Sequence, residues 1–262
     1  VRRLAKRLRA TVSAFEGDIA VAEEQRGDRV ALTCGGRAVE LLPAYLARLR
    51  RLCSRPDFHD AAFFMLARYR ILQVHDKGGG NQGAVPPAVF RAIERWAAPQ
   101  PVLEAFASPL NALAAAGRYH SAFADVDAPF GSRGSFFDAS FEEGVVEVNP
   151  PFDEDLVQRV AQVCEDSLER AAAAKRLLAF LVVVPETDWP GHAALLASKF
   201  RRWVRTLPAG QHFYQVGNQH LNPTRAYPAS RNTTLLLLSS RPVAGQARLG
   251  EHIEAAFRAL PA

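Results

Sequence analysis

Val145-Val146-Glu147-Val148-Asn149-Pro150-Pro151-Phe152 is an apolar, β-branched run that ends abruptly in Asn-Pro-Pro-Phe. The spacing predicts a buried strand carrying a rigid polar turn at its C-terminal end. Two consecutive prolines fix φ and donate no backbone N–H, so Asn149 is pushed out of helical space and its side chain is held at the strand mouth. Such a turn suits an exocyclic amine. The Asn149 side-chain oxygen and the Pro150 carbonyl can each accept a hydrogen from an –NH2 group, and Phe152 can stack on the ring that bears it. No proton need leave before the nitrogen lone pair attacks.

Around this turn stand Phe106-Ala-Ser-Pro-Leu-Asn111, Phe130-Gly-Ser-Arg-Gly-Ser-Phe-Phe-Asp138, Val183-Val-Pro-Glu186, and Gly217-Asn-Gln-His220 followed by Asn232-Thr. Asn-Pro-Pro-Phe after a strand resembles the amino-methyltransferases that act on adenine N6, cytosine N4 or a glutamine side chain. The ordered set resembles, over roughly residues 60–240, the cap-specific adenosine N6-methyltransferase family, the phosphorylated-CTD-interacting factor. The resemblance implies an α/β fold with a Rossmann-like class I sheet at 99–262, and the helical spacings within 1–98 make that stretch an expected N-terminal helical region. The resemblance also implies S-adenosyl-L-methionine as cofactor and RNA as substrate, capped mRNA 5′ ends above all. A larger protein assembly and a nuclear location go with it. The family's WW domain is not recognised in the chain. Two further functions stay open: a non-catalytic RNA-binding or assembly subunit of the same fold, and N6-adenine methylation of internal RNA or DNA.

Composition sets outer limits. A chain of 262 residues with 48% hydrophobic content can bury a full core. No apolar run reaches 18 residues, and the start, Val1-Arg-Arg-Leu-Ala-Lys-Arg-Leu-Arg9, is amphipathic, so no membrane span is expected. An Arg-rich, acid-free start is also compatible with a mitochondrial transit peptide. Cys34, Cys53 and Cys164 show no Cys-x-x-Cys spacing, which argues for a reducing compartment and against a disulfide frame; the His residues lack metal-ligand spacing, so no zinc is assigned.

The net charge of +5 is unevenly placed: residues 1–55 carry 12 Lys/Arg against 6 Asp/Glu, the remainder 20 against 21. Of the 32 basic residues 28 are Arg, whose planar forks suit phosphates and stack on bases. An ordinary solvated helix face reads equally well in isolation; beside a nucleobase site, nucleic acid is the better fit.

Along the chain, Leu4, Leu8, Val12, Phe15 and Ile19 form a helical stripe within 2–25, turns fall at Gly27-Asp28 and Gly35-Gly36, and further helices are expected over Leu41–Cys53 and around Phe63–Ile71. Gly78-Gly-Gly-Asn-Gln82-Gly83 lacks the Lys-Ser/Thr of a phosphate-binding P-loop and reads as a hinge or lid; the resemblance places Gln82 near the cofactor. Val102–Phe106 is the expected first strand of the sheet. The small residues Ala107 and Ser108 let backbone approach the methionine end of the cofactor, and Asn111 is positioned to bind it. Ser108 and Pro109 also read as an N-cap and N1 pair opening a helix.

Asp127 and Asp138 are candidates for the ribose and adenine contacts made at the second and third strand ends of methyltransferase sheets; either is also a plain turn or cap residue. Phe136 and Phe137 are core or adenine wall. Asp153, Glu154 and Asp155 suit the positive end of a helix running to Arg170, and the resemblance adds that Glu154 reaches a guanine edge. Leu177–Val184 is a central strand. The loop after it carries Glu186 and Trp189, the latter a platform for a cationic methylated guanine or a packing residue. Lys199-Phe-Arg201-Arg202-Trp203-Val-Arg205 is a phosphate-tracking cluster or the solvated edge of a helix. Strands are expected over Gln211–Val216 and Thr233–Leu238, joined by a substrate-side loop with His220, Asn222, Arg225 and Tyr227, and Glu251–Leu260 closes the chain as a helix.

Overall fold

A computed structural model describes residues 20–75 and 83–259. Its centre is a six-stranded sheet in the order β5-β4-β6-β7-β11-β8, built from β4 (Val102–Ala107), β5 (Tyr119–Ser121), β6 (Gly144–Val148), β7 (Leu178–Pro185), β8 (Arg201–Leu207) and β11 (Thr233–Ser239). The first four in space run parallel; β11 is antiparallel to both β7 and β8. Chain order reverses between β4 and β6. A crevice therefore opens at their carboxyl ends, where loops leaving the two strands diverge. The expected α/β, Rossmann-like sheet is present, and the organising turn lies at that crevice.

Helices cover both faces because the central strands are apolar on both sides. Along β7, Phe180, Val182 and Val184 pack with Val157, Val160, Cys164 and Leu168 of α5 (Glu154–Ala173) and Leu195 of α6 (Pro190–Ala197). The alternate residues Ala179, Leu181 and Val183 pack with Val89, Phe90 and Ile93 of α3 (Pro87–Ala97) and Ile253 and Phe257 of α7 (Gln246–Arg258). A continuous apolar run with period two on each face is what a doubly covered parallel strand requires. Helix α3 opens with Pro87 at its first position, and α5 is capped by Asp153, whose carboxylate accepts from Leu156 N at 3.1 Å. Among the described residues no helix is long and apolar enough to cross a membrane.

The N-terminal region departs from the helical expectation. Residues 1–19 of the expected first helix lie outside the described residues, but its end is a strand: β1 (Ala22–Arg26) pairs with β2 (Arg29–Cys34), which pairs with β3 (Arg37–Leu41), all antiparallel. Every residue of β1 is exposed, so its Glu and Arg side chains gave a helix-like surface pattern with no buried face to contradict it. Leu41 ends β3, and α1 begins at Pro43 (Pro43–Leu52); α2 (Phe58–His75) follows, and one turn, α4 (Ala124–Asp127), comes later. Leu32, Leu41, Leu49 and Met65 pack with Leu110 and Phe130 from the sheet region, and Leu42 N donates to His220 O at 2.9 Å.

Three further expectations are corrected. No helix starts at Ser108-Pro109: the chain makes a single turn, with Asn111 N and Ala112 N both donating to Ser108 O. No third parallel strand forms within 130–138, where one residue bridge, Tyr119–Ser132, stands in its place; Pro129 and the left-handed Gly131 and Gly134 (φ 92° and 85°) interrupt any extended run. Arg201–Arg205 belongs to edge strand β8, not to a helix. Both late strands form where expected, β11 as an antiparallel member of the sheet and β9 (Phe213–Gln215) paired with β10 (Ala226–Pro228) from within the expected loop.

Candidate active site

The carboxyl end of β6 delivers Asn149, which is 8% exposed, to the wall of a cavity. Its Nδ2 donates to Gly83 O at 2.8 Å. A carbonyl only accepts, so this bond fixes the amide orientation and leaves Oδ1 turned away; Oδ1 is buried and has no partner. Gly83 is itself held, because Ala84 exchanges two backbone hydrogen bonds with Gln215 of β9 (3.0 and 2.9 Å). A side chain at 83 would place its Cβ 2.5 Å from the Tyr227 hydroxyl and 3.2 Å from the Tyr214 ring, so glycine alone lets this backbone pass close enough to meet Asn149.

The larger of the two cavities at this end of the sheet, of about 350 Å³, is lined by Ala107 at the end of β4 and Ser108 and Asn111 after it, by Phe136 and Phe137, by Asn149, Pro150 and Pro151, and by Glu104 and Glu147 from the strands. Its size is in the range of small-molecule pockets. Ser108 and Asn111 are tied together: the Ser108 backbone N and hydroxyl donate to Asn111 Oδ1 at 2.7 and 2.8 Å. The turn after β4 is thereby closed on itself, with the small side chains of Ala107 and Ser108 at the crevice, the arrangement in which a cofactor's polar tail can lie along backbone.

Two lining residues escaped the sequence reading. Glu104 and Glu147 sit opposite each other on the paired strands β4 and β6. Glu104 is 6% and Glu147 1% exposed. Glu104 Oε2 accepts from Leu113 N and Ala114 N at 2.7 and 2.9 Å, while Glu147 Oε1 has no partner. Burial raises the Glu104 carboxyl to about 7, the two backbone donors opposing it; burial and then the Glu104 charge raise Glu147 well above the usual carboxylate range. The signal was there to use: each is a lone acid inside an otherwise apolar strand.

Because the folded pair holds protons that the unfolded chain gives up, stability is fully present below the unfolded value near 4.5 and is lost as pH rises through about 7. Urea unfolding at about pH 5 and about pH 8 therefore shows the parent chain losing stability across that window, with Glu147→Gln flattening the loss. An equal loss in both chains would refute the pair as its source.

Beyond the turn, Phe152 meets Tyr214 edge to face, with ring centres 5.7 Å apart, and with Trp189, Tyr227 and Asn232 lines a second cavity of about 190 Å³. Trp189 is half-buried and packs against the α5 face of the sheet while still lining this cavity, so its two readings are compatible. Glu186 is exposed; its Oε2 accepts from Asn232 Nδ2 at 2.8 Å, bridging the ends of β7 and β11. Glu154 is exposed in the first turn of α5.

Other candidates lie elsewhere. Gln82 falls outside the described residues. Pro109 is buried behind the turn, not on the cavity wall, and Asp138 is exposed and off that wall. Asp127 is wholly buried, with Oδ2 accepting from Tyr69 Oη at 2.7 Å; only Tyr69 of the two reaches the cavity. Arg201 and Arg202 are remote: Arg201 shares a row with Leu238, Phe180 and Val146, three residues down β6 from Asn149 and three strands across. Arg202 is spent on Ser239 O (2.7 Å), and Arg201 on Leu196 O. His220 is 5% exposed, and burial lowers its imidazole to about 4, so it is a neutral packing group rather than a substrate contact.

The pattern of the family described as "Phosphorylated CTD interacting factor 1 WW domain" matches residues 49–217, a stretch that runs from α1 past β9 and folds here around most of the six-stranded sheet. Two curated relatives, from Mus musculus and Homo sapiens, are each named "mRNA (2'-O-methyladenosine-N(6)-)-methyltransferase"; each is 34% identical over 228 residues, which is 81% of this chain and 31% of the relative. The chain thus spans about a third of the length of those relatives.

Proposed function

This chain belongs to the phosphorylated CTD interacting factor 1 family, and from that premise we propose that it methylates the N6 amine of adenosine in RNA, at the first transcribed position beside a 7-methylguanosine cap. The observation that carries the reading is the Asn149 amide on the cavity wall at the end of β6, held by Gly83 O and with a buried Oδ1 that has no hydrogen-bond partner. S-adenosyl-L-methionine, when bound, supplies an electrophilic methyl group. Ala107, Ser108 and Asn111 would hold it with Phe136 and Phe137, and the fit rests on the cavity volume, the small side chains and the unpartnered oxygens of its floor.

The chain's own part is alignment. Asn149 Oδ1 and the Pro150 carbonyl accept the two amine hydrogens, which turns the nitrogen lone pair toward the cavity. As positive charge develops on nitrogen, the same two oxygens stabilise it without reorganising. Pro151 keeps the turn stiff, and Phe152 stacks on the base. No side chain is needed as a base, because the nitrogen becomes acidic only once the new bond has formed.

Trp189, beside Phe152 in the smaller cavity, is the residue we assign to the methylated guanine, with Glu154 and Glu186 as acceptors for the guanine edge. Labelled methyl transfer to matched RNAs starting with adenosine tests this. We expect the parent chain to label capped RNA at least about 10-fold better than uncapped, and Trp189→Ala to abolish that preference while retaining labelling of uncapped RNA. Equal labelling of both RNAs by the parent would instead support internal adenosine as the target. No labelling together with no cofactor binding would support an assembly subunit.

A further inference from the structure

Among the described residues Glu147 is a buried carboxyl group with an unmet demand. Its Oε1 has no donor, the residue is 1% exposed, and it lies on the floor of the larger cavity. Its neighbour Glu104 spends one oxygen on two backbone amides and makes no hydrogen bond to Glu147. The surrounding titratable groups do not resolve the demand. Arg48 and Glu94 bear on Glu104, Arg48 being engaged by Ala112 O; Tyr119 bears on Glu104 from the other side; and Tyr214, the group facing Glu147 from β9, gives its hydroxyl to a bond with Thr233. Among the described residues no Lys or Arg forms an ion pair with Glu147. Buried acceptors are rarely kept without a donor, and when one is, a ligand is a usual supplier.

We propose that Glu147, backed by Glu104, receives the primary ammonium group on the amino-acid tail of the methyl donor, leaving Asn149 for the substrate amine. The assignment rests on the methyl-transfer reading above. Two arguments select the ammonium. A sulfonium has no N–H to give, and the adenine amine belongs to the far end of the molecule; the ammonium alone brings several donors and a full positive charge to a carboxylate pair. Depth agrees. Glu147 and Asn149 project from the same face of β6 two residues apart, so Glu147 is rooted roughly 7 Å deeper than the turn. A tail reaching down to it leaves the reacting carbon beside Asn149.

The charge balance is specific. Empty, the buried pair retains a proton, since two adjacent carboxylates resist joint ionisation. The arriving ammonium takes over the proton's electrostatic role, and the proton goes to solvent. Cofactor binding near neutral pH is therefore coupled to proton release, and affinity falls as pH drops and the pair takes up protons.

The test is titration calorimetry of S-adenosylmethionine, S-adenosylhomocysteine and deaminated S-adenosylhomocysteine, in buffers of different ionisation heat, against the parent chain and Glu147→Gln. The parent is expected to bind the first two with proton release and the deaminated compound about 10- to 100-fold more weakly with none. Glu147→Gln should bind the first two about 10- to 100-fold more weakly, without proton release, and match the parent on the deaminated compound. A parent that binds S-adenosylhomocysteine and its deaminated form equally overturns the assignment, whatever the variant's stability; so does a folded variant with unchanged affinity. A parent that binds none of the three overturns the methyl-transfer reading and this assignment together, an outcome distinct from either.

Discussion

Replacing Asn149 with Ala lowers the single-turnover rate of methyl transfer by about 100- to 1,000-fold, with cofactor affinity changed by no more than a few fold. The size follows from what the amide supplies. In the proposed reading Oδ1 and the Pro150 carbonyl accept the amine hydrogens, and Oδ1 is preorganised by the 2.8 Å bond from Nδ2 to Gly83 O. Alanine removes the acceptor and releases the backbone that carried it, so orientation and charge stabilisation fail together. The stability cost is small, about 1 kcal/mol for the lost bond. Asn149→Asp separates the two contributions. It keeps an acceptor but turns an oxygen toward Gly83 O, where both groups only accept, and it adds a third carboxylate near Glu104 and Glu147. We expect a rate between those of the parent and the Ala variant, recovering at lower pH as the new carboxyl protonates. An Ala variant within about threefold of the parent rate would remove Asn149 from the chemistry.

How much of this was legible in the sequence depended on whether the deciding force was local. The strand at 144–148, the turn after it and the Asp153 cap are set by β-branching, proline φ restriction and a helix N-terminus, all within a few residues, and each stands where the pattern put it. The strands β7 and β11 were legible as unbroken apolar runs. What escaped is set by partners distant in sequence. β1 is an exposed charged strand defined only by its pairing with β2. Arg201 and Arg202 looked like a phosphate track until pairing of β8 with β11 carried them toward the opposite end of the sheet. Asp127 looked like a ribose ligand because its position along the chain was suitable, but its carboxylate faces Tyr69, 58 residues earlier. Glu104 and Glu147 are the reverse case: unremarkable apart, and chemically unusual only because two parallel strands set them side by side.

The largest stability effect falls on Gly191, in the first turn of α6, where the helix crosses α5. A Cβ built there lies 2.5 Å from Gln158 N, 2.6 Å from Gln158 Cα and 2.7 Å from Val157 C. All three atoms are helix backbone, so no side chain can rotate aside and α6 itself must move. Gly191→Ala is expected to cost about 2 to 3 kcal/mol, seen as a fall in Tm of roughly 5 to 10 °C. The helix cannot retreat without consequence for the site. Trp189 immediately precedes α6 at its N-cap position, and His192, one residue past the glycine, ties the helix start to β11 through Nε2 and the Thr234 hydroxyl at 2.9 Å. Displacing α6 therefore shifts the Trp189 side of the smaller cavity while Asn149, on β6, stays in place. At a temperature where Gly191→Ala remains folded, labelling of capped RNA should drop toward the uncapped level, and labelling of uncapped RNA should match the parent. A variant as stable as the parent would mean that the two helices can separate freely. A loss of labelling on both RNAs alike would mean that the helix crossing supports the whole crevice, not the Trp189 wall alone.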